Sequence, residues 1–432
     1  MHPCWNVSEL TRMIFEHIDH PAIETLQGIR YRLALTCRQF SGPALDLLWR
    51  RSSQGRIYRL LEFLPKNAYE KDGADSIRII LPLEPRDWDP VLAYTRRIRH
   101  LSVGLFDEPS QFDSSILESL IALPTGFLLP NVQSLFCDYA SALFSYLPVL
   151  VGPRLSKIEI CGRGPLSRLS AMESFATTWH SLEDATLYGL EEIFTKWSSY
   201  FVARLKQPRF LSFVSVDTDA YRHMAAFRTL EILKIERLES APFPVLNVEP
   251  SQTLFPALRD LELNASDPYF LTNFVTALRT APLHTLIANA TKSPTVAYSD
   301  CTTFFSALYS TCHLTRLTLL NINLQEGNSV SIDGVYHSLK AVDVLQPLLG
   351  CRSLRCLRLK LPFGLVIESN EFVEEMARAW PNIELLSLSA KHAVPPRHPT
   401  IMALISFSRH CPRLSGLVMP VNATEVRMDD AL

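Results

Sequence analysis

Neither sign of charge dominates this chain. Its 42 lysines and arginines stand against 44 aspartates and glutamates, with no long block of either, so the electrostatic footprint of a nucleic-acid binder is missing. Long apolar runs are absent too. No stretch reaches the roughly 18 uninterrupted apolar residues of a membrane span, and charged residues interrupt the opening MHPCWNVSELTRMIFEHIDHP before any signal-peptide core could form. The expectation is an intracellular protein of cytoplasm or nucleus, with no membrane and no nucleic-acid partner. Nine cysteines, odd in number and without short paired spacings, exclude a disulfide framework and a zinc site. The sequons at Asn6, Asn264, Asn289 and Asn422 are then chance matches. There is no Gly-rich phosphate loop, HExxH pair or GxSxG elbow, so no catalytic residue, metal ligand or cofactor is predicted. The neighbours Cys312 and His313, and His410 and Cys411, lie at the ends of apolar helix candidates, where a buried cysteine and a capping histidine are ordinary. Glycine is scarce, 15 against 29 prolines, which suits stiff element boundaries more than flexible linkers.

With 432 residues, 47% of them hydrophobic, the chain exceeds one compact domain, and a repeat array or two domains follows. The pattern apolar-x-x-apolar-x-apolar recurs from Ile98, Val132, Leu155, Leu182, Leu211 and Leu230, then from Leu258, Leu283, Leu314, Leu354, Ile383 and Leu414. Ala185 and Ala288 stand in large-residue slots. These starts average just under about 30 residues apart, near the long end of leucine-rich-repeat periods. Each unit supplies one short strand whose apolar side cannot be buried without its neighbours. Amphipathic helix candidates lie between, at AMESFATTWHSL, NFVTALRTAP, TTFFSALYSTC, EFVEEMARAWPN and IMALISFSRHCP, several ending in proline just ahead of a strand. Short strands alternating with helices argue for a parallel sheet. RIYRLLEFLP reads as a linker helix, IRIILP as a strand, and the stretch from Asp87 to Arg97 as a helix.

In the N-terminal fifty residues, Leu10, Ile14 and Ile18 repeat every four residues beside Met13 and Phe15, an apolar helix face opened by Ser8 and Glu9. A second helix over YRLALTCRQF and a third over SGPALDLLWRR, parted by Ser-Gly-Pro, complete the expected set. Three such helices bury too little surface to stand alone, so their faces need the rest of the chain or a partner. The order Val7-Ser8-Glu9-Leu10, Ile14-Phe15, Ile18, Leu33 to Phe40 with its Thr36-Cys37-Arg38 core, and Leu47-Leu48-Trp49-Arg50 resembles an F-box. Asn6-Val7 replaces the usual Leu-Pro opening of that family, and the segment from Ile23 to Arg32 is longer than its usual loop. The resemblance implies a Skp-type adaptor as partner, through it a cullin-RING ubiquitin ligase, and an unknown protein substrate. Val7, Leu10, Ile14, Phe15, Ile18, Leu35, Cys37, Phe40, Leu48 and Trp49 would be its adaptor-binding residues. Read as a capping bundle instead, the same helices would leave a leucine-rich-repeat interaction scaffold.

The expected fold is α/β: a three-helix F-box at residues 1–51, a linker helix at 52–75, an irregular leucine-rich-repeat solenoid at 76–425 and a tail at 426–432. The solenoid would be a curved horseshoe with a parallel sheet. Side chains alternating with the core positions face its concave side. Those singled out for substrate binding are Phe136, Phe213, Asp260, Glu262, Arg316 and Arg358, aromatic anchors for burial and charges for orientation. Cys161, Asn264, Asn289 and Asn321 fall just after strands, where leucine-rich repeats use a side chain to satisfy loop backbone groups.

Overall fold

The structure is a computed structural model. It describes residues 10, 13, 14 and 26–422, apart from 73–75, 105–110, 121–122, 124–125, 163–173, 176, 190–192, 239–253, 277, 279–280, 291–297, 312–315, 325–337, 363 and 391–398. The expected tail lies outside the described residues. The chain divides into two compact units, residues 1–190 with 204–206, and residues 191–203 with 207–432. Both are built the same way, as parallel strands following one another in chain order.

In the first unit the strands are β1 (Arg51–Ser53), β2 (His100–Val103), β3 (Ser134–Asp138), β4 (Lys157–Cys161) and β5 (Asp184–Leu187), each parallel to the next. In the second they are β6 (Phe210–Phe213), β7 (Ile232–Leu238), β8 (Asp260–Ala265), β9 (Thr285–Ala290), β10 (Leu319–Asn323), β11 (Cys356–Leu361), β12 (Leu385–Ala390) and β13 (Gly416–Val418), again all parallel. In each unit the strands and their crossovers make an α/β repeat solenoid. Parallel neighbours need a long return connection, and helices such as Tyr298–Thr311, Asn370–Ala379 and Ala403–His410 provide it on the expected segments. The helix Pro268–Thr276 begins ahead of the expected Asn273.

Strand alternation puts one apolar pair per repeat into the core. Leu135 with Cys137, Ile158 with Ile160, Leu261 with Leu263 and Leu357 with Leu359 are all fully buried, each leucine or isoleucine contributing about 1.5–3 kcal/mol. Ala185 and Ala288 are buried in the same slots. A second core row lies three residues ahead of each repeat start. Leu129, Trp179, Phe255, Cys351, Trp380 and Cys411 occupy it, all buried. Trp179 donates its indole N–H to the Val151 carbonyl at 3.3 Å, and Trp380 to the Leu348 carbonyl at 3.0 Å. These are bonds to the preceding repeat, so they couple neighbours directly.

The repeat sheet starts earlier than expected. Its first strand is Arg51–Ser53, in register with His100–Ser102, across the boundary of the expected F-box and linker segments. Ser52 takes a core slot there and is buried, so no apolar pattern announced it. The expected helix does form next to it, over Gln54–Leu60 and a 3-10 turn at Leu61–Phe63. The expected strand at Ser76–Ile79 also forms, but in a side sheet, antiparallel to Tyr69–Asp72 and parallel to Gln111–Phe112.

Gly104 and Gly162, with φ of +78° and +91°, end β2 and β4 on either side of Asp138. That carboxylate accepts from the Ala140 N–H at 2.8 Å. A Cβ on Gly162 would lie 2.2 Å from Asp138 Oδ1, so glycine is required both for the backbone and for the space.

The helices Asn370–Ala379 and Ala403–His410 are joined by Glu374. Its carboxylate lies 2.8 Å from His410 Nε2 and 2.8 Å from Arg378 Nη2. Hydrogen bonds from Ser406 and then His410 pull the Glu374 carboxyl down to about 2 from 4.5. A depressed carboxylate stabilises the fold above its ordinary pKa, and the contribution is lost as pH falls from about 4.5 towards 2. Urea midpoints measured across that window should fall less steeply for Glu374→Gln than for the unmodified chain.

Candidate partner-binding surfaces

Two surfaces present side chains that the core does not use. The first is formed by the N-terminal helices. Leu10, Met13 and Ile14 are helical, spaced i, i+3 and i+4 on one face, and are 41%, 58% and 37% exposed. The next helix, Leu26–Thr36, packs on Arg38–Arg50. Leu33, Ala34 and Phe40 pack against Ala44 and Leu47 between them. Tyr31 and Leu35, one turn apart, point away at 57% and 67% exposure.

The break between these two helices falls at Cys37, whose φ of −159° and ψ of 163° are extended, and not at Ser41-Gly42-Pro43 as the sequence suggested. Pro43 sits inside the helix. It forgoes one backbone bond, offset by burial of Ala44 and Leu47.

The ten residues expected to bind an adaptor therefore separate. Leu10, Ile14 and Leu35 are outward, while Phe40 faces the helix pair's own core. Cys37 and Leu48 are half-buried. Trp49 turns to the first repeat, its ring centroid 5.4 Å from that of Tyr94. Arg97 reinforces that joint, pairing with Asp46 and donating to the Gly42 carbonyl at 3.2 Å. Val7, Phe15 and Ile18 lie outside the described residues.

The second surface is the open face of the strands, opposite the helices. In the first unit Phe136 stands on it, half-exposed in β3. In the second unit Asp260, Glu262 and Arg358 are on it as expected. Phe213 and Arg316 are not on it. Phe213 is 1% exposed, because β6 pairs with β7 so that Leu211 matches Leu233 and Phe213 matches Ile235, both core positions. Phe210 takes the face instead, and Ser212 on the same side of the strand is buried. Arg316 is exposed in the turn before β10. Register with β9 sets Leu320 opposite Leu286 and Ile322 opposite Ala288, so Leu319 and Asn321 face outward. Asn264 and Asn289 also lie on the face within their strands, with the Asn289 amide donating to Asn264 Oδ1 at 2.7 Å. They bond to each other rather than to a loop.

A groove of about 380 Å³ runs over β6 to β9. Phe210, Ile232 and Ile287 are its apolar lining, and Lys234, Asp260, Glu262 and Thr285 its polar one. Lys234 Nζ lies 2.9 Å from Glu262 Oε2. Strand alternation in the sequence already sets Ile232, Lys234, Asp260, Glu262, Thr285 and Ile287 on this face, with only the two acids expected to bind substrate. Phe210 was hidden by the register, although the pair Leu211-x-Phe213 has the same core spacing as Leu135-x-Cys137 and Leu261-x-Leu263.

The Cys411 thiol donates to the Ala377 carbonyl at 3.3 Å, and burial pushes its pKa up to about 11. That is opposite to the activation a nucleophilic thiolate needs. Cys312 and His313 lie outside the described residues. Among the described residues no three His, Cys, Asp or Glu side chains are grouped as a metal site, and no helix is long and apolar enough to cross a membrane.

Fold and surfaces together define a parallel α/β repeat protein with two faces suited to contact. No protein family and no curated protein matches the chain. Among solved structures, it is similar to one described as the crystal structure of the Rad7 and Elc1 complex in yeast. The identity is 15% over 98% of this chain and 92% of that chain, with a TM-score of 0.39.

Proposed function

We propose that the chain is a non-catalytic substrate receptor. Its N-terminal helices would dock a Skp-type adaptor of a cullin-RING ubiquitin ligase, and the open face of its strands would hold a protein substrate. The mechanism is proximity: substrate and ligase are brought together, and partners carry out the chemistry without a cofactor in this chain.

The observation that carries the reading is the outward apolar set Leu10, Met13, Ile14, Tyr31 and Leu35, beside Leu33 and Ala34 that pack inward on Ala44 and Leu47. Apolar side chains clustered on helical faces in water mark a contact surface. The F-box resemblance of the same segment supplies the partner class. A second reading, a repeat scaffold capped by these helices, is favoured by Trp49 on Tyr94 and by the Arg97 to Asp46 pair. The cap reading accounts for the inward side chains and leaves the outward ones without a role.

Co-purification of the full chain with a Skp-type adaptor separates the two. The receptor reading expects a stoichiometric complex that Ile14→Asp and Leu35→Asp each weaken at least tenfold while circular dichroism is unchanged. A folded chain that captures no adaptor would leave the scaffold.

A further inference from the structure

The groove over β6 to β9 has an unbalanced charge that selects among ligands. Asp260 and Glu262 are in its lining, and Glu236 stands two residues beyond Lys234 on the same face of β7. Three carboxylates thus share the patch with one ammonium among the described lining residues, that of Lys234, which Glu262 already engages at 2.9 Å. Burial and the charge of Glu262 push the Glu236 carboxyl up, as expected where like charges crowd. A cation arriving there relieves the crowding, and an anion meets three carboxylates.

Apolar side chains line the groove beside the acids: Phe210 and Ile232 precede Asp260 in one cross-strand row, and Ile287 follows Glu262 in the next. Phe210, Ile232 and Ile287 are only half-buried, and about 380 Å³ is at the lower end of ligand-pocket sizes. That suits one aliphatic side chain and the backbone around it. Beside the acids, on the same face, the Asn264 and Asn289 amides have donor and acceptor capacity beyond their mutual bond. Side-chain amides of this kind suit an extended peptide backbone.

We propose that this groove takes an extended peptide segment in which a lysine or arginine stands beside a leucine-sized apolar side chain. The aliphatic group lies against the adjacent Phe210 and Ile232, and the basic group lies against Asp260 and Glu262, with Glu236 beyond them. The proposal deepens the receptor reading and rests on it for the bound partner being a protein substrate. Nucleic acid is disfavoured at the same place, since its phosphates need cations.

The test is fluorescence anisotropy of the full chain with three labelled decapeptides, Gly/Ser sequences centred on Arg-Leu-Arg, Ser-Leu-Ser or Asp-Leu-Asp. A fourth probe centred on Arg-Ala-Arg reports the apolar contact. The Arg-Leu-Arg probe should bind at least tenfold tighter than Ser-Leu-Ser and severalfold tighter than Arg-Ala-Arg. Asp-Leu-Asp should be the weakest of the four.

The double variant Asp260→Asn with Glu262→Gln should bring Arg-Leu-Arg and Ser-Leu-Ser within threefold of each other, and Glu236→Gln alone should shift them the same way by less. All of these positions face solvent, so the fold is expected to persist, with circular dichroism as the control. No binding, equal binding of all probes, or a basic preference unchanged in these variants overturns the proposal. Adaptor capture is measured separately. A chain that captures adaptor but shows no basic preference sinks only this inference, and the reverse result sinks only the receptor reading.

Discussion

Trp380→Ala is expected to lower the stability of the second unit by about 3–5 kcal/mol, among the largest effects of any single substitution in the chain. The indole is fully buried ahead of β12 and its N–H reaches the Leu348 carbonyl one repeat earlier. Alanine there removes packing on both sides of an inter-repeat joint, while the backbone carbonyl of residue 380, which accepts from the Cys411 thiol at 3.5 Å, stays in place. Trp380→Phe isolates the hydrogen bond. The Leu348 carbonyl also accepts from the Cys351 N–H at 2.9 Å, so it is not stranded. The loss beyond the change of ring should therefore be only about 0.5–1.5 kcal/mol. Urea unfolding of the two variants gives both numbers, and equal losses would mean that the bond rather than the ring volume carries the joint. Because repeats contact only their neighbours, the C-terminal repeats should loosen first, which hydrogen exchange would resolve.

Phe213→Ala is expected to cost a similar 3–5 kcal/mol, whereas Phe136→Ala should stay within about 1 kcal/mol. Both phenylalanines were read from sequence as facing the same solvent side. Phe213 is in the core and Phe136 is half-exposed, so the pair of measurements tests the register of β6 directly. A mild Phe213→Ala would restore the sequence-based register and remove Phe210 from the groove.

The two register corrections have one cause. The repeat pattern requires apolar residues at slots 0, 3 and 5, and a run with apolar residues at 0, 3, 5, 6 and 8 satisfies it in two frames. From Leu314 the run reads Leu317, Leu319, Leu320 and Ile322, and near Leu211 both Leu211 with Phe213 and Val214 with Val216 fit. The frames differ by three, an odd number, and an odd slip sends every side chain to the opposite face. Pairing with β7 and with β9 decides between them, and a single strand carries no record of its partner. Where the run is unambiguous, as at Leu258 and Leu354, face residues such as Glu262 and Arg358 emerge correctly from the sequence.

β1 was invisible for a different reason. Arg51-Ser52-Ser53 has no apolar periodicity, and it is a strand because His100–Ser102 offers it a parallel partner. Likewise, Ser41-Gly42-Pro43 has the composition of a helix break, yet the helix continues because Ala44 and Leu47 gain burial against Leu33, Ala34 and Phe40.

The N-terminal helices show what kind of information each level holds. Leu35 and Trp49 are both large and apolar, and the F-box resemblance treats them alike, but one is outward and the other lies on Tyr94. Which apolar residue of a helix meets its own domain depends on where the next element sits.

By itself the sequence determined the α/β repeat architecture and most core pairs, since hydrophobic spacing is a local property that survives without coordinates. Tertiary structure alone decided the register of β6 and β10, the early start of the sheet and the meeting of Phe210, Ile232, Glu262 and Ile287 in one groove. Those depend on pairing between segments distant along the chain, and the energy that settles them resides in contacts no single segment contains.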